Sequence, residues 1–500
     1  MRDQLFHLEP DGKSTLQAQL RRMLVDAILD GQIPVGSPLP SCRKMAQTLN
    51  VARNTVALAY QDLVEEGFLV ARQRSGYFVA PDVLAGRVAA APRPRASDAG
   101  SDSAGTAGAV DWAGHFRVRP SVQRNIEKPR NWQDYPYPFI YGQVDPGHFP
   151  IAAWRDCSRQ ALGRAAVREW SRDLFTDDDP LLIEQIRTRL LPRRGVRVGN
   201  DEILVTVGAQ QALYLIASLL VDAGVRVGIE DPGYADARNI FSLRTDRVSP
   251  LAVDREGVVV SEALAGCDYI YVTPSHQFPT TATLSLARRR ALLEAAARHD
   301  LVVVEDDYES EINHLGTPSP ALKSLDRAGR VIFVASLSKT LAPGLRLGYM
   351  VGPARFIGEA RALRRLMLRH PPANNQRTVA LFLADGHHDA LMRRLSHTFK
   401  ERWKAMGEAL AKHLPECRWQ PTQGGTAYWI EGPAGLDARA LEAAAAQQGI
   451  LIERGDWHFL RAEGAPRNFF RLGFSSIPVE KIEPGLKLLG EILRRQLAAT

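Results

Sequence analysis

Residues 301–348 hold the side chains best suited to chemistry. Two apolar, β-branched runs, Leu301–Val304 and Val331–Ala335, predict buried parallel strands. The first leads into Glu305, Asp306, Asp307 and Tyr308. The second leads into Ser336, Ser338 and Lys339, with Arg346 one short loop later. Open α/β sheets bind small molecules at the carboxyl ends of their strands. An acid, a phenol, hydroxyls, an amine and a guanidinium would converge there. Singly, such residues are mostly solvated. In this order, on strand ends, they form the set that pyridoxal phosphate needs. Its aldehyde needs a lysine for a Schiff base, its pyridinium nitrogen an acidic partner, and its phosphate donors with a fixed cation.

The elements that must position them alternate along residues 112–500. Ile203–Val207, Val225–Ile229 and Tyr269–Thr273 read as strands, with helices over about 210–222 and 286–299. This alternation predicts a mostly parallel sheet covered by helices. Gly208, Ala209 and Gln210 fall at a strand-to-helix turn, where backbone N–H groups can cradle a phosphate.

The wording then becomes specific. EDDY followed by SLSKTLAPGLRLGY resembles the cofactor core of the fold-type I aminotransferases. The resemblance implies pyridoxal 5'-phosphate on Lys339, with Asp306 at the pyridinium nitrogen and Tyr308 at the phenolic oxygen. A one-residue shift would exchange Asp306 with Asp307. Ser336 and Arg346 would hold the phosphate, joined by Ala209 and Gln210 from VTVGAQQALYLIA, with Ser338 a further cofactor-binding residue. EDPGYADARNIF places Tyr234 where the family stacks an aromatic ring on the cofactor. NFFRLGFSS places Arg471 where the family binds a substrate carboxylate, and a smaller C-terminal α/β subdomain is implied. TPSHQFPTT departs from the aminotransferases. Phe278 stands in the place of their phenolic-oxygen Asn, and Thr281 in the place of a Gly. His276 or Gln277 would then replace the missing contact.

Residues 1–80 form a separate module. Ser14 can cap a helix carrying Leu16, Leu20, Met23, Leu24 and Ile28, and Ser41 one that runs to Leu49. A third runs from about Arg53 to Glu66, and FLVA and YFVA then form a hairpin. This is a winged helix-turn-helix pattern. LPSCRKMAQTLNVARNTVALAYQDLVEEGFLVARQRSGYFVA resembles the GntR family of DNA-binding domains. By that likeness Ser41, Arg43, Arg53, Asn54 and Thr55 face operator DNA, and a wing at Ser75, Gly76 and Tyr77 enters the minor groove. The altered HisGlnPheProThr segment resembles the MocR subfamily, in which a GntR domain is fused to an aminotransferase-like effector sensor.

Residues 81–111 are rich in Ala, Gly, Ser, Pro and Asp and read as a flexible linker. Random-coil scaling gives it a reach of roughly 30 Å. A net charge of +7 permits an acidic partner such as DNA. The four cysteines are widely spaced, with no CxxC pair, so neither a disulfide framework nor a metal site is expected. The start is polar and the longest apolar stretch is short, so a cytoplasmic protein with no membrane contact is expected. The resemblance to MocR-type regulators implies a homodimeric DNA-binding regulator. It would sense an amine-bearing effector, an amino acid or ω-amino acid, through an external aldimine with its cofactor. The alternative is a working aminotransferase with an appended DNA module.

Overall fold

The computed structural model describes Leu8, residues 14–85, Val110 and residues 112–315, 319–337 and 341–499. Ser338, Lys339 and most of 81–111 lie outside the described residues. The chain divides into two units, Met1–Asp111 and Trp112–Thr500.

In the first unit, helices α1 (Leu16–Leu29), α2 (Cys42–Leu49) and α3 (Arg53–Glu65) precede an antiparallel hairpin. Its strands are β1 (Leu69–Arg72) and β2 (Gly76–Val79). The apolar stripes meet in one core that includes Leu20, Leu24, Ile28, Val56, Tyr60 and Leu63. The Ser41 hydroxyl accepts from the Lys44 N–H at 3.3 Å and caps α2. The cap of α1 is Thr15 rather than Ser14. Thr15 is the extended residue directly before the helix, and its hydroxyl accepts from the Ala18 N–H at 3.2 Å. Asn50, left-handed at φ 51°, makes the tight turn between α2 and α3.

In the second unit, eight strands form one sheet among the described residues. They are β3 (Ile203–Thr206), β4 (Val227–Asp231), β5 (Val248–Asp254), β6 (Gly257–Val258), β7 (Tyr269–Val272), β8 (Val302–Asp306), β9 (Val331–Ser336) and β10 (Gly348–Val351). Their spatial order is β3-β10-β9-β8-β7-β4-β5-β6. Neighbours from β9 through β5 run parallel, and β10 and β6 run against them. Helices cover both faces, so alternate residues of each strand enter different cores. Tyr271, Val304 and Val334 pack with Ala212 and Ile216 of α4 (Gly208–Leu220). Ile270, Val303 and Val331 pack with Leu292 and Ala296 of α5 (Leu286–Arg298). This two-sided burial explains why these strands are continuous apolar runs.

The C-terminal part forms a smaller antiparallel sheet of four strands. These are β11 (Arg418–Trp419), β12 (Ala427–Glu431), β13 (Glu453–Arg454) and β14 (Phe469–Gly473), in the order β11-β12-β14-β13. It shares a core with α6 (His387–His413) and α7 (Val479–Ala499), through Leu410, Phe470, Leu472 and Leu489. Among the described residues, no helix is long and apolar enough to cross a membrane.

Candidate functional site: a strand-end cavity and a winged helix

The polar residues at the carboxyl ends of β3, β8 and β9 border a cavity of about 140 Å³. Ala209, Gln210, Tyr234, Asp306, Tyr308, Ser336 and Arg346 all line it, as the sequence leads one to expect. Tyr141, Tyr271, Phe278 and Pro343 complete the wall.

Part of the lining suits an anion. No side chain caps the N-terminus of α4. Its first-turn N–H groups therefore remain available beside Ser336 and Arg346. Gly208 has φ +75°, and a Cβ built on it would lie 2.9 Å from the Arg346 guanidinium. A side chain there would displace the cation. Arg346 donates toward the Gln210 side-chain amide oxygen, Oε1, at 3.3 Å. Gln210 in turn donates to Asp236 at 2.5 Å, and the Tyr234 hydroxyl donates to Asp236 at 3.0 Å.

The acid of the lining is Asp306. Its Oδ2 accepts from the Tyr271 hydroxyl at 2.8 Å. Burial pushes Tyr271 well above its ordinary pKa, so it stays a neutral donor. Pleating of β8 sends the neighbouring acids to the other face. Glu305 accepts from the backbone N–H groups of Leu322 and Lys323, at 2.7 and 2.8 Å. Asp307 forms a buried bidentate pair with Arg194, at 2.7 and 3.0 Å, and accepts from Ser275. Asp306 therefore faces the cavity and Asp307 does not.

Phe278, Tyr141, Tyr234 and Tyr308 form an aromatic wall, with Phe278 5.1–5.8 Å from the other three rings. The buried Tyr308 hydroxyl has no hydrogen-bond partner among the described residues. His276 does not line the cavity. Its ring packs so closely on Gly424 that a Cβ there would lie 2.4 Å from Cε1. Burial pushes its pKa down to about 4, so it is a neutral core histidine. Gln277 is also spent elsewhere, donating to Pro232 O and Phe278 O and accepting from the Thr280 N–H. The expected substitution of the Asn contact by either residue is therefore not seen, and Phe278 itself forms the wall.

Arg471, on β14, is fully buried against that wall and is not among the residues that line the cavity. Its guanidinium carbon lies 3.7 Å from the Tyr141 ring centre and 4.2 Å from that of Phe278. Its three side-chain nitrogens have no hydrogen-bond partner among the described residues.

In the first unit, Arg43, Arg53, Asn54, Ser75 and Gly76 are exposed, with Ser41 exposed at its cap. Thr55 is half-buried. Tyr77 is half-buried too, edge-on to Tyr60 at 5.0 Å, so part of its ring belongs to the core. The N-cap of α3 is Ala52, which offers no capping side chain. The helix therefore presents uncapped N–H groups beside Arg53 and Asn54, an arrangement suited to phosphate and base edges.

Comparison with known proteins agrees with both halves. Residues 16–79 match the bacterial regulatory proteins of the gntR family, and residues 145–489 match aminotransferase class I and II. The HTH-type transcriptional regulator TauR of Rhodobacter capsulatus is 42% identical over 98% of this chain and 99% of its own. The probable rhizopine catabolism regulatory protein MocR of Rhizobium meliloti is 30% identical over 96% of this chain and 94% of its own. Among solved structures, the α-aminoadipate aminotransferase of Thermus thermophilus, complexed with a phosphopyridoxyl-L-leucine, matches with TM-score 0.70 and 27% identity. It covers 78% of this chain and 100% of that one. The kynurenine aminotransferase of Pyrococcus horikoshii, in complex with PMP, matches with TM-score 0.71 and 27% identity over 77% of this chain and 98% of that one. With a gntR-type winged helix, an aminotransferase-like domain and full-length relatives that are regulators, the chain belongs to the MocR-type subfamily of GntR transcriptional regulators.

Proposed function

We propose that this transcriptional regulator holds pyridoxal phosphate in the strand-end cavity and uses it to sense an amine that also carries an acidic group. The observation that carries the reading is the set of groups that line the cavity. One lining carries the acid Asp306, the cation Arg346 with Ser336 and the uncapped start of α4, and the Tyr308 hydroxyl, which has no hydrogen-bond partner among the described residues. A pyridinium, a phosphate and a phenolic oxygen match these groups in turn. When bound, the cofactor would supply an aldehyde that exchanges one primary amine for another. Lys339 would provide the resting amine. Asp306, fixed by Tyr271, would keep the ring nitrogen protonated, and Tyr308 would donate to the phenolic oxygen. Arg471 would receive the effector's carboxylate as a rigid fork. Phe278 replaces a hydrogen-bonding wall with an apolar one, which favours sensing over turnover.

Operator binding belongs to the winged helix. Arg53, Asn54 and Thr55 at the start of α3, with Arg43 and the wing at Ser75 and Gly76, would read paired half-sites as a homodimer. Arg53→Ala is expected to weaken specific operator binding by about 1–3 kcal/mol, measured by fluorescence anisotropy. Unchanged affinity would remove Arg53 from the reading surface.

The effector reading is tested by titrating the cofactor spectrum of the full-length protein with α- and ω-amino acids while following operator affinity and keto-acid product. The right effector should change spectrum and operator affinity together, with little product. Arg471→Ala should weaken the response about ten- to hundredfold, the worth of a charged hydrogen-bond pair. Multiple-turnover keto acid, at rates of order 1 s⁻¹ or above, would make the chain an enzyme instead.

A further inference from the structure

The guanidinium of Arg471 poses a problem of charge. A buried cation without hydrogen bonds is costly, and a carboxylate partner is the usual remedy. The backbone supplies one: β13 pairs β14 so that Glu453 stands directly opposite Arg471. Cross-strand neighbours in this register ordinarily meet. Yet Glu453 Oε2 is 3.9 Å from Arg471, too far for a hydrogen bond. The Glu453 carboxylate lies closer to Lys128, whose Nζ is 3.0 Å from Oε1. Lys128 is held in turn by donating to the Tyr141 carbonyl.

We propose that Lys128 and Glu453 are positioning residues that set how strongly Arg471 takes an effector's acidic group. Lys128 draws Glu453 away from Arg471, leaving the guanidinium poised for one outside anion. This rests on the reading of Arg471 as the effector's acid receptor. Two cations share the Glu453 carboxylate, so it does not satisfy Arg471, whose side-chain nitrogens have no hydrogen-bond partner among the described residues. Burial tends to raise the Glu453 pKa, but Lys128 and then Arg471 outweigh it and hold it below the usual carboxylate value, so it remains an anion. Burial pushes His458, which feels both Arg471 and Glu453, down to about 3, and it adds no charge. Tyr141 and Phe278 lie against the guanidinium and offset part of its lost hydration. The class of effector that completes this cluster is an amine with a single acidic group.

The test needs no knowledge of the natural effector. Cofactor-stripped full-length protein is titrated with pyridoxamine phosphate and with the phosphopyridoxyl adducts of glycine and γ-aminobutyrate. The preference for an adduct over pyridoxamine phosphate reports the bond to the acid group. In Lys128→Met, Glu453 is free to turn to Arg471, and the preference should fall about tenfold. Lys128→Arg should keep it, and Lys128→Met with Glu453→Gln should restore it, which a merely structural role for Lys128 would not. Affinity for pyridoxamine phosphate should stay constant and reports that the site is folded. Should Lys128→Met not fold, Glu453→Gln alone decides, because removing the competing carboxylate should raise the preference. An unchanged preference in Lys128→Met, no recovery in the double variant, or no rise in Glu453→Gln would overturn the proposal. Absence of any preference in the wild type would instead overturn the reading of Arg471, and this proposal with it.

Discussion

Lys339→Ala is expected to abolish the visible absorbance of lysine-linked cofactor in the purified protein. Only a primary amine can hold the aldehyde covalently, and Lys339 follows the cavity-lining Ser336 by three residues in the chain. The substitution should not abolish all binding. Arg346, Ser336 and the α4 N-terminus would still meet a phosphate, and a charged hydrogen bond of this kind contributes about 1.5–3 kcal/mol. The variant should therefore take up pyridoxal phosphate reversibly, lose it on gel filtration, and no longer respond to an amine by exchange of a bound lysine. Borohydride reduction followed by peptide mapping checks the assignment in the wild type. Cofactor attached to any other lysine would sink it.

Much of this site was legible because its residues follow apolar runs that can only be buried strands. Asp306, Tyr308, Ser336 and Arg346 are readable as a group for that reason, and Ala209 and Gln210 because a glycine joins strand to helix before them. Tyr271 was missed because it sits inside the run YIYV, where a tyrosine looks like core. The available signal was its hydroxyl, which must find a partner when buried. Tyr141 precedes any periodic segment of the large unit and carries no such signal. The ambiguity between Asp306 and Asp307 could not be resolved along the chain. It depends on where pleating aims each side chain, and on Arg194, more than a hundred residues earlier. His276 failed as a cofactor contact for a packing reason: the glycines at 424 and 425 leave a slot that its ring fills. In the first unit the choice between Ser14 and Thr15 as cap turned on one residue's backbone angles, which composition does not specify.

Removing one partner of the Arg194–Asp307 pair is expected to cause the largest loss of stability. Arg194 is 6% exposed and Asp307 4%. The guanidinium donates twice to Asp307, once to Ser275 Oγ and once to the Ser319 carbonyl. Arg194→Leu strands a buried carboxylate, at a cost of about 3–5 kcal/mol near neutral pH. The pH dependence follows from the charges. Burial alone would raise the Asp307 pKa, but Arg194 outweighs it and holds the group below its ordinary value. In the wild type this contributes stability that is present above an ordinary Asp pKa of about 3.9 and is lost as pH falls through the lower folded value. In the variant the sign reverses. The folded pKa rises above about 3.9, and a penalty grows as pH increases from there. The difference between the two proteins should therefore be greatest near neutrality and shrink as pH falls toward about 4. Urea unfolding of the cofactor-stripped full chain at several pH values measures it. Arg194→Leu with Asp307→Leu should recover most of the loss, because a buried ion pair replaced by apolar groups is often neutral. A single-variant cost below about 1 kcal/mol at neutral pH, within the range of ordinary substitutions, would show that the pair does not stabilise the chain just after β8.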